Sequence, residues 1–164
     1  MHYEPSWAPQ HLQPGGSEDG DDFLEDAGYR RETPASSRNI KRLHSTLSNR
    51  FRRWLNSVHK IAAKQEKRRV DISFSQDDRT HLAELKVCYG GYTKASIREA
   101  LGQIFEYNLY PPRQSADSWL IVLDTKPAKE DVAYFEVLRQ KYKLPLSLVW
   151  PTDAGFESDR PFLN

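Results

Sequence analysis

The sequence is poor in the residues that build disulfides, zinc clusters and membrane spans. It has a single cysteine, Cys88, which excludes an intramolecular disulfide. Its five histidines are scattered along the chain and lack the spacing of a zinc site. No apolar run approaches the length of a membrane span, and the N-terminus has no hydrophobic signal core. We therefore expect a soluble protein of the reducing cytoplasm with no membrane partner.

Each of two long segments lacks charge of one sign. Residues 1–26 contain seven Asp or Glu and no Lys or Arg. Residues 30–69 contain thirteen Lys or Arg against two acids, a net charge of +11, which is typical of a surface that binds a polyanion. A merely solvated cationic helix face is the alternative interpretation. The candidate nucleic-acid-binding residues are Arg42, Arg50, Arg53, Lys67, Arg68 and Arg98.

The composition divides the 164-residue chain into one domain with a tail at each end. Residues 1–37 are rich in Pro, Gly, Ser and acid and show no sustained hydrophobic period, which predicts a disordered tail. Residues 38–150 carry the periodic segments and form the predicted domain. Residues 151–164 are polar, and we predict an irregular C-terminal tail.

The hydrophobic pattern predicts an α/β fold in which helices flank a mixed β-sheet. An antiparallel hairpin precedes two strands that are joined by helical crossovers, so the order of elements is αβββαβαβ. Ser96 and Glu99 have the spacing of a capping box, which indicates a helix start there. In chain order, we expect a helix at 37–58, a strand near 60–65, strands at 70–74 and 83–87, a helix at 96–109, a strand at 119–123, a helix at 128–142 and a strand at 146–150.

The hairpin places charged side chains of both signs on one face. Residues 70–74 and 83–87 alternate apolar and polar side chains, as strands with one buried face do. If Ser75 and Thr80 close a four-residue loop, the antiparallel register puts Asp71 opposite Glu84. Lys86 then lies on that same face, two residues along the strand.

Two carboxylates and an ammonium in this arrangement suit phosphodiester hydrolysis with a divalent metal. Mg²⁺ is held by one or two carboxylates while water and substrate phosphate fill the other positions. We expect Asp71 and Glu84 to be metal ligands and the backbone carbonyl of Leu85 to be a third. Lys86 would orient the attacking water and stabilise negative charge in the transition state.

The following helix carries a second polar row on its surface. Glu99, Gln103 and Tyr107 are spaced four residues apart and lie off the apolar face. We expect Gln103 and Tyr107 to point at the metal site or at a substrate phosphate, and Glu99 to act as a capping residue. His44, beside Arg42 on the first helix, could reach a phosphate, but a solvated helix surface is the default interpretation.

These motifs resemble the PD-(D/E)XK nuclease superfamily, in the branch with an additional Gln-x-x-x-Tyr motif. The resemblance extends from about residue 38 to residue 150 and implies a restriction-endonuclease-like core. It implies Mg²⁺ or Mn²⁺ as the cofactor and DNA as the substrate, with RNA as the alternative. It also implies a catalytic role for the three charged residues and an accessory role for Gln103 and Tyr107. The matching residues are Asp71, Glu84, Leu85, Lys86, Gln103 and Tyr107.

The sequence departs from the family pattern at two places. Val70 precedes Asp71 where the family name has proline. Many members carry an acidic residue on the first helix, but residues 38–58 contain none, and Glu66 is the nearest candidate.

We therefore expect a Mg²⁺-dependent deoxyribonuclease, an endonuclease or exonuclease of host defence, restriction or repair. It would act alone, as a homodimer or within a larger complex. The alternative is a non-catalytic module that keeps the nuclease fold and binds nucleic acid or docks onto a partner as a subunit of such a complex. Metal-stimulated cleavage distinguishes the two hypotheses.

Overall fold

A long amphipathic helix opens the part of the chain that the structure describes. The computed structural model describes residues 34–65, 71–111 and 115–163, and only the helical backbone of residues 34–38. Helix α1 spans Pro34–His59, and proline suits a first helical turn because its missing N–H would have no acceptor there. The predicted helix start near residue 37 is therefore about one turn late. The disorder predicted for the N-terminal tail concerns residues that mostly lie outside the described ones.

A two-residue turn closes the hairpin that carries the candidate site. Strands β2 (Ile72–Gln76) and β3 (Arg79–Lys86) pair antiparallel, with Ile72 opposite Ala83. Both turn residues, Asp77 and Asp78, have positive φ angles of 50° and 60°, as tight hairpin turns require. The predicted four-residue loop is wrong, because one further pair forms at its base. The predicted register is confirmed, since that extra pair leaves the alignment unchanged.

The sheet is open, mixed and six-stranded, with its strands in chain order. The parallel pairs join the third strand to the fourth and the fourth to the fifth, and the other neighbours are antiparallel. Flanking helices complete the α/β architecture expected from the sequence. No helix within the described ranges is long and apolar enough to cross a membrane. The remaining elements are β1 (Lys64–Gln65), α2 (Thr93–Leu109), β4 (Ser118–Leu123), α3 (Lys129–Tyr142), β5 (Leu146–Thr152) and β6 (Gly155–Ser158).

Two hydrophobic layers cover the two faces of the sheet. On one face, Leu120 and Val122 of β4 pack with the buried stripe of α1. On the other face, Ile121 and Leu123 pack with buried residues of α2 and α3. Strand β4 is buried along its whole length, which explains why it reads as one continuous apolar run.

Helix α2 begins one turn earlier than its sequence suggests. Gly90 and Gly91 adopt left-handed φ angles of 59° and 78° in a short 3₁₀ turn, Tyr89–Gly91. This turn reverses the chain at once, so the helix starts at Thr93. The predicted capping box is therefore wrong, because Ser96 and Glu99 both lie inside the helix. Glu99 is consequently free to take a different role.

Residues 151–158 belong to the last two strands of the sheet and their turn, so the predicted irregular tail at 151–164 is wrong for this part of it. Strand β5 continues to Thr152, and β6 pairs with it antiparallel. Phe156 of β6 is buried and packs edge-on against Phe51 and at a tilt against Trp54 of α1, with ring centroids 5.1 and 5.4 Å apart. Burial of this aromatic ring stabilises a strand that has no other large apolar side chain. The domain accordingly extends past the predicted boundary at residue 150.

Candidate active site

The carboxylate of Asp71 is fixed at the edge of the hairpin. Asp71 lies in a bend one residue before β2, next to the pair formed by Ile72 and Ala83. Its Oδ2 accepts a hydrogen bond of 2.8 Å from the backbone N–H of Leu85. The same oxygen lies 3.2 Å from Nε2 of His44. The side chain is therefore held beside β3, next to Glu84, as the register predicted.

Glu84 is a buried carboxylate on a central strand. Its side chain is only 4% exposed, and Oε1 lies 3.3 Å from the ammonium of Lys86. Its Oε2 is buried and has no hydrogen-bond partner among the described residues. The pKa of Glu84 is raised to about 7, chiefly by burial and also by the nearby charge of Asp71, while the Lys86 ammonium acts in the opposite direction. A buried carboxylate with one unpartnered oxygen and an anionic neighbour is a favourable site for a cation.

Lys86 is held by three partners rather than projecting into solvent. Besides Glu84, its Nζ contacts Oε1 of Glu99 at 2.7 Å and donates a hydrogen bond to Oε1 of Gln103. The ammonium therefore links β3 to α2, and the helix sets its position. Glu99, which the sequence suggested as a cap, is in fact a partner of this lysine.

Helix α2 presents its polar row to the strand ends, as the four-residue spacing predicted. The pKa of Tyr107 is raised to about 12, chiefly by burial and also by the negative charges of Glu84 and Asp71. A hydrogen bond with Gln103 acts in the opposite direction. Tyr107 is therefore close enough to both carboxylates to experience their charge. Gln103 and Tyr107 thus belong to the same polar cluster as the three charged residues.

His44 is the residue of this cluster that sequence reasoning missed. Its hydrogen bond with Asp71 raises its pKa despite an opposing effect of burial, and the charges of Asp71 and Glu84 raise it too. A hydrogen bond with the Leu85 backbone has the same effect. The backbone of Leu85, whose N–H donates to Asp71 Oδ2, therefore lies close to the imidazole as well. One signal was present in the sequence, since His44 lies seven residues before the buried Phe51 and therefore on the inward side of α1.

The predicted nucleic-acid-binding residues are not equivalent in the structure. Arg42, Arg53 and Arg98 are exposed. Arg50 instead donates a 2.5 Å hydrogen bond to the carbonyl of Thr152 and lies over the ring of Phe156. It therefore holds α1 against the C-terminal hairpin. The predictions for Lys67 and Arg68, and for Glu66 as a substitute acid, fall outside the described residues.

The carboxylate oxygens of this site suit a hard divalent cation that keeps water ligands, rather than a metal ion enclosed by protein ligands. Among the residues that the structure describes, no three His, Cys, Asp or Glu side chains form a group that could hold a metal ion by themselves. Mg²⁺ needs fewer protein ligands, because it keeps several waters and uses one or two carboxylates together with substrate phosphate. Asp71 and the unpartnered oxygen of Glu84 fit that requirement.

Comparison with known proteins gives no functional assignment, so a functional proposal depends on this geometry. Searches against protein-family models, curated proteins and solved structures found no match.

Proposed function

We propose that this protein is a metal-dependent nuclease that hydrolyses phosphodiester bonds of DNA. The observation that carries the proposal is the paired carboxylates of Asp71 and Glu84, one of which keeps a buried oxygen without a partner in the described chain. Two carboxylates this close repel each other, and a divalent cation between them removes that repulsion. Asp71 and Glu84 would hold Mg²⁺ or Mn²⁺, which when bound would polarise the phosphate and lower the pKa of a water molecule.

Lys86 would position the attacking water and stabilise developing negative charge. Its ammonium already lies beside Glu84 and is oriented by Glu99 and Gln103. A cation held in place before the reaction needs no reorganisation when the phosphorane-like charge develops. If a phosphate oxygen replaced one of the two carboxylates beside Lys86, the ammonium would still be paired with an anion. Gln103 and Tyr107 support this arrangement from α2.

His44 supports the proposed metal ligands from α1. Its Nε2 lies 3.2 Å from Asp71 Oδ2, so it fixes the position of that carboxylate. The first helix of this chain has no acidic residue at positions 38–58, and His44 is the residue that α1 contributes to the cluster.

The fold and the charge distribution support DNA as the substrate. The mixed sheet and the order of elements agree with the restriction-endonuclease-like core implied by the resemblance of the motifs. Exposed Arg42, Arg53 and Arg98 offer cations for phosphate contacts. These features favour a nuclease over other metal-dependent hydrolases, although RNA offers the same phosphate chemistry.

A cleavage assay tests the proposal directly. Full-length protein is incubated with supercoiled plasmid, linear duplex, single-stranded DNA and RNA in Mg²⁺, in Mn²⁺ and in EDTA. We expect metal-dependent cleavage of DNA that is lost in the Asp71→Asn and Lys86→Ala variants. Asp78→Asn is the matched control, because it makes the same chemical change in the exposed turn of the same hairpin and should cut like the wild type. Cleavage that survives in Asp71→Asn would contradict the catalytic assignment.

One observation favours the non-catalytic alternative. The Lys86 ammonium is already occupied by two carboxylates and Gln103, which also describes a purely structural polar cluster. A protein of this kind would bind DNA with a strong dependence on salt but would not cut it. The absence of cleavage on all four substrates in either metal, combined with salt-dependent binding, would select this second function.

A further inference from the structure

An exposed aromatic ring follows the strand that carries the candidate catalytic residues. Tyr92 is 77% exposed, more than any other large hydrophobic residue in the described chain. Its backbone N–H donates to the carbonyl of Tyr89 across the 3₁₀ turn, at 3.0 Å. A Cβ atom built on Gly90 would lie 3.4 Å from the Tyr92 ring, so the ring rests on the backbone of Gly90. The ring is thus supported on one side while most of its surface faces solvent.

The position of Tyr92 relates it to the candidate site. It precedes Glu99 by seven residues, which is close to two helical turns and about 10 Å along the axis of α2. Tyr92 itself stands just before the first helical turn, with φ −80° and ψ 88°. The ring therefore lies at the N-terminal end of α2, beyond Glu99, the partner of Lys86.

The turn that presents Tyr92 is fixed at both ends. The backbone N–H of Cys88 donates to Oδ1 of Asp124 at 2.8 Å, which joins the exit of β3 to the end of β4. On the other side, helix α2 begins at once with Thr93. An aromatic ring held in this way loses little conformational entropy when a ligand stacks on it. Lys94 and Arg98 are exposed on the first two turns of α2 and provide cations for a phosphate backbone.

We propose that Tyr92 stacks on an unpaired base of the substrate, several nucleotides away from the phosphate that is cut. This inference rests on the proposed nuclease function and specifies its substrate class: single-stranded DNA, or duplex DNA with a single-stranded end or flap. The face of a base is available to an aromatic side chain only when the base is unpaired and unstacked, and such stacking tolerates any sequence. A blunt duplex offers Tyr92 no such face along its length.

Binding without cleavage tests the proposal. The full-length protein in EDTA is titrated against a fluorescently labelled single-stranded oligonucleotide and against the same sequence as a blunt duplex. Stacking is worth about 1–3 kcal/mol per base, so Tyr92→Ala should weaken single-strand binding by about 5-fold to 150-fold. Tyr92→Trp should retain that affinity, because the aromatic surface is kept. Tyr142→Ala is the control, since Tyr142 is 56% exposed at the far end of α3 and should bind like the wild type.

The outcomes separate this inference from the proposed function. If Tyr92→Ala binds the single strand as well as the wild type, or loses single-strand and duplex binding equally, the stacking assignment is overturned. A selective loss of single-strand binding, with rescue by Tyr92→Trp, supports it whether or not DNA is cut. The nuclease proposal depends separately on the metal-dependent cleavage described above. In Mg²⁺, Tyr92→Ala should raise the KM for single-stranded DNA and leave kcat nearly unchanged.

Discussion

Two buried carboxylates of the same sheet have very different surroundings. The side chain of Asp159, just after β6, is 0% exposed and lies 2.6 Å from a guanidinium nitrogen of Arg139. Its other oxygen accepts a 2.8 Å hydrogen bond from the backbone N–H of Leu148. The side chain of Glu84 is almost as buried, at 4%, yet one of its oxygens has no partner in the described chain and its pKa is raised to about 7. The two carboxylates are therefore about equally buried, but only Asp159 has a partner for each of its oxygens.

This difference distinguishes a structural carboxylate from a candidate metal ligand. A buried ion pair with complete hydrogen bonds is stable by itself. A buried carboxylate that lacks a partner and faces a second carboxylate is destabilising unless a proton or a cation joins it. Asp159 fastens the C-terminal hairpin to α3, whereas Glu84 is available for a ligand. The four predictions that follow test this distinction.

The largest expected effect is on catalysis. Glu84→Gln should slow Mg²⁺-dependent plasmid cleavage by about 1,000-fold, or about 4 kcal/mol, because a neutral amide cannot hold the cation. Asp159→Asn makes the corresponding change at the structural acid and should cleave within about threefold of the wild type at a temperature where it is folded. Equal losses in the two variants would show that the comparison has no functional meaning.

The next largest effect is on stability, and here the sensitive residue is Asp159 rather than Glu84. Asp159→Ala leaves the Arg139 guanidinium buried without its counter-charge, so the free energy of unfolding should fall by about 3 kcal/mol. Urea denaturation measures this change. Asp153→Ala, at the exposed tip of the same hairpin, should change it by less than about 0.5 kcal/mol. A similarly small effect for Asp159→Ala would contradict the assignment of this ion pair as a structural element.

A smaller effect is expected in the pH dependence of stability. The pKa of Glu84 is higher in the folded state than in the unfolded chain, so its contribution is most favourable below about pH 4.5 and is lost as the pH rises to about 7. Relative to wild type, Glu84→Gln should therefore gain about 2 kcal/mol of unfolding free energy between pH 5 and pH 8. Comparison with the variant is necessary because the raised pKa of His44 changes the wild-type curve in the same direction. Parallel curves for the two proteins would argue against a buried, repelled carboxylate.

The smallest effect concerns the missed histidine. His44→Ala removes a neighbour of Asp71 but leaves both carboxylates, so we expect cleavage to fall by about 10-fold, equivalent to about 1.4 kcal/mol. Steady-state cleavage rates in Mg²⁺ and Mn²⁺ measure the change. Ser45→Ala provides a control at the adjacent, exposed position of α1. A loss no greater than that of the control would leave His44 as a packing residue only.

The sequence was most informative where the interacting residues are close along the chain. The register of β2 and β3 followed from alternation and loop length, and it survived an error in the loop because the added pair changed no alignment. The polar row of α2 followed from its four-residue spacing. Lys86 and Gln103 are only seventeen residues apart, and one helix packed beside one strand brings them together.

The sequence was least informative where a contact depends on packing between distant elements. His44 and Asp71 are separated by 27 residues, and their contact requires α1 to cross the sheet at one particular position. Phe156 is buried only because Phe51 and Trp54 cover it, so the strand that carries it seemed to be a polar tail. Glu99 was misinterpreted for a related reason, because the glycine turn moved the helix start away from it.

By itself, the sequence determined the α/β class, the hairpin register and the single face shared by Asp71, Glu84 and Lys86. Those features arise from local periodicity, which fixes on which side of a strand or helix a residue lies. Only the tertiary structure decided which charged groups on that face have hydrogen-bond or ion-pair partners. Burial, the approach of His44 from α1 and the three partners of Lys86 depend on how helices pack on the sheet. Because the energy of a carboxylate depends on its surroundings, the distinction between Glu84 and Asp159 became visible only in the folded chain.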